Sequence, residues 1–191
     1  GVPDARASIG IAKGAPSPAR GRGHSFASGI GRRCGKNGDM KILDVLRKEA
    51  VVVNLKSREK KGVIEELAAP LASLSGIARK DLVKVLMERE RLGSTGIGGG
   101  IGIPHGKMKG IDSLLVGFGL SREGVNFESI DGRPTHIFFV LVTPEDSIDI
   151  HLKLLSQISR ILKDDLLKQR LRNAGTPDAV IEIIREEDVG F

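Results

Sequence analysis

Apolar side chains recur at two distinct periods from Met40 onward, whereas residues 1–39 show neither. Ile42, Leu43, Val45 and Leu46 have the spacing of a short amphipathic helix, and Val51, Val52, Val53 and Leu55 that of a β-branched strand. Val63, Ile64, Leu67, Ala68 and Leu71 share one helical face, with Ser57 as the expected cap and Pro70 as an expected kink or boundary. A turn at Ser75-Gly76 leads into a helix striped by Leu82, Val83, Leu86 and Met87. Two strands are expected at Leu114–Leu120 and Ile137–Val142, with Asp131-Gly132 as a turn between them. The second, Ile-Phe-Phe-Val-Leu-Val, is apolar throughout, as a central strand covered on both faces must be. A long helix from about Ser147 carries Ile148, Leu152, Leu155, Ile158 and Leu162. Thr176-Pro177-Asp178 then opens a last helix with Val180, Ile181 and Ile184 inward. Helices intermingle with a few hydrophobic strands, which predicts an α/β fold: a single layered domain over residues 40–191, with a mixed β-sheet flanked by α-helices.

Residues 1–39 are rich in Gly, Ser, Ala, Arg and Pro and cannot bury enough surface to offset their ordering entropy. They read as a disordered or artefactual tail ahead of a natural start at Met40, with a basic nucleic-acid arm as the sharper alternative. The formal net charge of +6 belongs largely to this tail, which holds seven basic side chains against two acidic ones. The remaining 23 basic and 22 acidic groups nearly cancel. With six Phe and neither Trp nor Tyr, base stacking has little to work with, and no nucleic-acid partner is expected. Cys34 is the only cysteine, so no intrachain disulfide and no Cys-based zinc site can form. No run approaches the roughly 18 consecutive apolar residues of a membrane span, so no stable membrane insertion and a cytoplasmic location are expected.

One stretch resists explanation by periodicity. Arg89 to Lys107 holds seven glycines, with His105 set between Pro104 and Gly106. It is not a Walker loop, because Ile101 stands where the first glycine belongs and Met108 follows Lys107. The dinucleotide fingerprint fails as well, since Gly96 and Gly98 are followed by Ile101, and Gly100 and Gly102 by His105. His105, His136 and His151 could hold a catalytic zinc, but none is paired locally in a ligand motif, so a metal hydrolase is the minor reading. A nucleophilic histidine accounts for more. Neutral imidazole attacks phosphorus without a separate base and with no obligatory magnesium or other cofactor, provided donors surround the equatorial oxygens. Backbone amides of Gly96, Gly98 and Gly106, the hydroxyls of Ser94 and Thr95, and Arg89 are the candidate donors. His151, at a helix start, would stay neutral and donate one hydrogen bond. Plainer readings stand beside these: a half-buried, backbone-satisfied His151, a structural His136, an incidental His24, a solvated Arg89 and Lys107, and a Ser94-Thr95 pair that merely turns the chain.

These residues carry a resemblance. Met87-Glu88-Arg89-Glu90, Leu92-Gly93-Ser94-Thr95-Gly96-Ile97-Gly98 and Ile103-Pro104-His105-Gly106-Lys107 together resemble the enzyme IIA domains of the fructose, mannitol and nitrogen-regulatory branch of the bacterial phosphoenolpyruvate-dependent phosphotransferase system. The similarity runs from about Met40 to Asp188. It implies a mixed sheet flanked by helices, phosphorylation at His105, an active-site role for Arg89, and support of the phosphoryl group by His151. It further implies a histidine-containing phosphocarrier protein as donor. The acceptor would be a cysteine of a IIB domain in sugar transport, or the phosphorylation state would govern a regulatory target such as a sensor kinase or ion transporter. Lacking a IIB-like cysteine motif and a membrane segment, the chain looks like a free-standing unit of the nitrogen-regulatory type, with a separate fructose-type subunit as the alternative.

Overall fold

The computed structural model describes residues 40–187. The tail, with its expected disorder and its basic-arm alternative, lies outside the described residues. A single 3-10 turn at Ile42–Asp44 replaces the expected first helix. Leu46, assigned to that helix, instead opens β1 (Leu46–Val52), which starts earlier than expected and ends before Leu55. Helices α1 (Lys60–Ser75) and α2 (Arg79–Arg91) follow. The glycine-rich stretch folds as three short strands, β2 (Gly96–Gly98), β3 (Ile101–Gly102) and β4 (His105–Met108). Strands β5 (Leu115–Val125) and β6 (Thr135–Pro144) lead to α3 (Ile148–Ile161), α4 (Asp165–Asn173) and α5 (Pro177–Glu187). Six strands form one mixed sheet, in the order β1-β5-β6-β3-β2, with β4 also paired to β6. The β1–β5, β3–β6 and β4–β6 pairs are parallel; β5–β6 and β2–β3 are antiparallel. The predicted α/β layering is therefore the observed fold.

The centre of the sheet is where the continuous apolar runs placed it. β5 is buried from Leu115 through Ser121 and β6 from Ile137 through Thr143. Phe118 meets Phe139 edge-on at 5.1 Å, and Phe127 meets Phe138 in the same way at 5.1 Å. α1 and α2 pack together, α1 against β1 and β5 and α2 against β4, while α4 and α5 pack together against β1, β5 and β6. The approach of α1 is close: a Cβ on Gly119 would come within 2.4 Å of a Leu67 methyl, so only glycine lets the helix settle there.

Several local expectations yield to tertiary packing. Pro70 neither ends nor divides α1, which runs through to Gly76, its left-handed cap at φ 74°. Ser57 does not cap α1. Its N-cap is Glu59, and the Ser57 amide donates to Glu66 instead. In α3 the buried face is His151, Leu154, Ile158 and Ile161, so Ile158 of the expected stripe is inward, as is Leu162 just beyond the helix, while its first two positions are not. Ile148 and Leu152 are 54% and 58% exposed. Helix α4 lies where no separate helix was expected, capped by Asp164, whose carboxylate accepts from the Leu166 and Leu167 amides.

Candidate active site

Three elements converge on His105. α2 ends in Arg91, and the cationic Arg89 and Arg91 in its last turn suit the negative end of the helix dipole. β4 starts at His105 and runs parallel to β6, with His105 opposite Leu141 and Lys107 opposite Thr143. Three residues beyond β6's Pro144 the chain reaches Ser147, the N-cap of α3, which places His151 in that helix's first turn. The half-buried His105 ring lies 5.3 Å from the ring of His151, the planes tilted by 57°.

The hydrogen bonds fix the chemistry of His105. Its Nδ1 is 2.7 Å from the carbonyl oxygen of Ile103, which can only accept, so Nδ1 carries the proton. The lone pair is therefore on Nε2, where Nε–H of Arg89 donates to it at 3.2 Å. Arg89 is anchored by a second bond from Nη1 to the Gly93 carbonyl at 3.1 Å. Burial and then the Arg89 guanidinium lower the His105 pKa, opposed by the Ile103 carbonyl and by Glu90. The ring is thus neutral at pH 7, with a nucleophilic nitrogen facing a cation.

His151 is buried, and its pKa is lowered from 6.5 to about 4. Burial is the largest cause, followed by the charges of His105, Lys107 and Arg89. Neutrality was expected from the helix N-terminus; the dry, cation-rich surroundings are the stronger reason. Nδ1 of His151 lies 3.1 Å from the Thr143 hydroxyl, which is also 3.5 Å from the Gly106 carbonyl. His136 stands apart from this pair, with Nδ1 donating to the Ser121 carbonyl at 3.0 Å. Among the described residues no three His, Cys, Asp or Glu side chains form a group able to hold a metal ion.

The structure divides the remaining candidates differently from the sequence. The Gly96 amide donates to Ser94 Oγ at 3.1 Å and the Gly98 amide to Ser129 Oγ at 3.0 Å. Both amides, expected as donors to a phosphoryl group, thus have internal acceptors in this structure. Ser94 Oγ donates to the Phe127 carbonyl, and Thr95 Oγ1 to Glu90 at 2.6 Å, so these hydroxyls brace the chain rather than face His105. Gly106 is there for packing: a Cβ would come within 2.5 Å of Val85 Cγ1 and force α2 off β4. Lys107 is exposed beside the site.

Glu90 is the structural residue that sequence reasoning missed. It is 5% exposed, and its carboxylate takes the Thr95 amide and hydroxyl as well as Lys60 Nζ at 3.1 Å. Embedded in Glu88-Arg89-Glu90-Arg91, it carries no signal separating it from a solvated charge. Its place two residues on from the exposed Glu88, on roughly the opposite side of the helix, is what buries it, next to Arg89. The contributions of the Ile103 carbonyl and of Thr143 were equally invisible, because both are set by strand register.

The chain is similar to known proteins. Residues 44–187 match the family model described as phosphoenolpyruvate-dependent sugar phosphotransferase system, EIIA 2. A nitrogen regulatory protein of Bradyrhizobium diazoefficiens is 36% identical over 145 residues, covering 76% of this chain and 95% of that protein. A fructose-specific EIIABC component of Bacillus subtilis is also 36% identical over 150 residues, 78% of this chain but only 24% of that much longer relative. The crystal structure of the nitrogen regulatory protein IIA-Ntr from Neisseria meningitidis superposes with a TM-score of 0.70 at 30% identity, covering 74% of this chain and 97% of the other. With the matched model spanning most of the chain, this protein belongs to the EIIA type 2 family of the phosphoenolpyruvate-dependent sugar phosphotransferase system, whose domains are phosphotransferase components.

Proposed function

We propose that the chain is a phosphohistidine carrier of the nitrogen-regulatory type, which takes a phosphoryl group onto Nε2 of His105 from a histidine-containing phosphocarrier protein. The observation that carries this reading is the His105 hydrogen-bond pair: Nδ1–H held by the Ile103 carbonyl, Nε2 open towards Arg89. Nε2 attacks phosphorus as the donor's N–P bond breaks, and that electron pair returns to the donor imidazole. Nδ1 keeps its proton, and the Ile103 carbonyl stabilises the positive charge that builds up on the ring. Once Nε2 is bonded to phosphorus, Arg89 turns its donors to the phosphoryl oxygens. The single Thr143 proton favours the shorter contact, 3.1 Å to His151 Nδ1 rather than 3.5 Å to Gly106. His151 is then left with a donating Nε2–H, neutral at pH 7, for the same oxygens.

The nitrogen-regulatory type is supported by likeness along 95% of the Bradyrhizobium protein and by the Neisseria structure. Its phosphorylation state would govern binding to a sensor kinase or ion transporter. The equal identity to the fructose-specific EIIABC component supports a second reading, in which a IIB cysteine accepts the phosphoryl group for sugar uptake. Incubation with phosphoenolpyruvate, the first enzyme and the phosphocarrier should place one acid-labile phosphate on the chain, and His105→Ala should abolish it. Normal uptake by His105→Ala would overturn the site. Rapid chase onto an added IIB cysteine would then select transport over regulation.

A further inference from the structure

The glycines at the middle of the Arg89–Lys107 stretch do not face His105. They form one wall of a separate cavity of about 720 Å³, within the range of small-molecule sites. Gly99 and Gly100 turn the β2–β3 hairpin there at φ 61° and 80°. The opposite wall is α4, which contributes Lys168, Gln169 and Arg172, and β5 adds Arg122. Ile137 lines the floor, opposite Ile101 on β3 and four positions up β6 from Leu141, which pairs with His105. The cavity is therefore distinct from the phosphorylation site, although strand β3 and Pro104 link the two.

Its charge is unbalanced. Lys168 is paired with Asp165 at 2.6 Å, which also lines the cavity and neutralises it. Among the described residues, neither Arg122 nor Arg172 has a carboxylate partner. Arg172 meets a ring nitrogen instead: its Nη2 lies 3.5 Å from Nε2 of His136, whose Nδ1 is 3.0 Å from the Ser121 carbonyl. Two unpaired guanidinium forks on facing elements suit carboxylate or phosphate oxygens bidentately. The amides of Gln169 and Asn173 offer both donors and acceptors to an uncharged remainder. Glycine is suited to this wall because both turn residues have positive φ, which L side chains rarely adopt.

We infer that this cavity binds a small organic dianion, its charged end held between Arg122 and Arg172 and its neutral part against α4 and the glycine turn. Two classes of metabolite present that chemistry, phosphate monoesters and dicarboxylates, so the probes are glycerol 3-phosphate and succinate, with acetate as a monovalent control. Calorimetric titration of the full chain should give one site for one of the two dianions, at least about tenfold tighter than for acetate. Arg122→Gln and Arg172→Gln should each weaken it by about tenfold or more, the loss of a charge-assisted pair of hydrogen bonds. The amide resonances of Gly99 and Gly100 should shift on titration, and both variants should keep the parent melting temperature and normal phosphoryl uptake on His105. That last measurement separates failure of this inference from failure of the proposed function. Preference for glycerol 3-phosphate or for succinate identifies the acid group. If neither dianion binds more tightly than acetate, or if both Gln variants bind like the parent, the cavity is not such a site.

Discussion

The two ends of the Arg89–Lys107 stretch and its middle have the same glycine-rich character but opposite roles. At the ends, Arg89 on α2 and His105 on β4 are 16 residues apart in the chain and 3.2 Å apart in space. In the middle, Gly98, Gly99 and Gly100 turn away as a hairpin, with the Gly99 amide donating to Asp131 at 2.9 Å. Glycine abundance therefore marks two different needs: close packing of α2 at Gly106, and positive φ at the turn. A stretch dense in glycine is not by that fact an anion cradle; the hydrogen-bond partners of its amides decide.

The comparison breaks most readily at Arg89. Arg89→Gln should slow phosphoryl uptake by about a hundredfold to a thousandfold, the range for removing one preorganised donor at a charged transition state, with the unfolding midpoint unchanged. Undiminished uptake would show that the ends of the stretch do not work together. Next in size is Glu90→Ala, which releases the Thr95 amide and hydroxyl and one partner of Lys60. Urea unfolding should show a loss of about 3 kcal/mol, as for breaking a buried ion pair; a loss as small as that of an exposed pair would mean that the ends are held by something other than this carboxylate.

A pH series sharpens the pair His105 and His151. Uptake needs neutral His105, whose pKa is lowered below 6.5, so activity should be full at pH 7 and fall only as pH drops below that value. For His151 the unfolded ring binds its proton near 6.5 and the folded ring near 4. Between those values the unfolded state holds more protons, so stability is fully present above pH 6.5 and declines as pH falls towards 4. His151→Asn should flatten that decline; an unchanged slope of Tm against pH would assign it to other groups. The smallest effect is expected in the middle: Gly99→Ala, at φ 61°, should cost about 1 kcal/mol and leave uptake unaltered. Uptake slowed as severely as by Arg89→Gln would erase the distinction between ends and middle.

Much of the architecture was legible because hydrophobic burial writes itself into spacing. β5 and β6 lie almost where their apolar runs placed them, and the stripe of Val63, Ile64, Leu67, Ala68 and Leu71 is the buried face of α1. The start of α3's buried face was misread because Leu152 is apolar yet 58% exposed, while His151 beside it is buried; Ile158 and Leu162 lie inward as expected. Helix α4 went unseen because its buried positions, Leu167 and Leu171, are too few to make a stripe, although Asp164 is a good cap. At the site, His105 stood out between Pro104 and Gly106, and Arg89 and His151 were selected with it, whereas Glu90 and Thr143 were not.

By itself the sequence determined which segments can bury a face and which family motif surrounds His105, since these depend on residue type and local spacing. Only the tertiary structure decided which nitrogen of His105 carries the proton, which amides already have acceptors, and that the glycines serve helix packing at one end and a turn in the middle. Those facts follow from the register of β4 and β3 against β6 and from the angle at which α2 and α4 arrive. Such relations join residues far apart in the chain, and no local pattern encodes them.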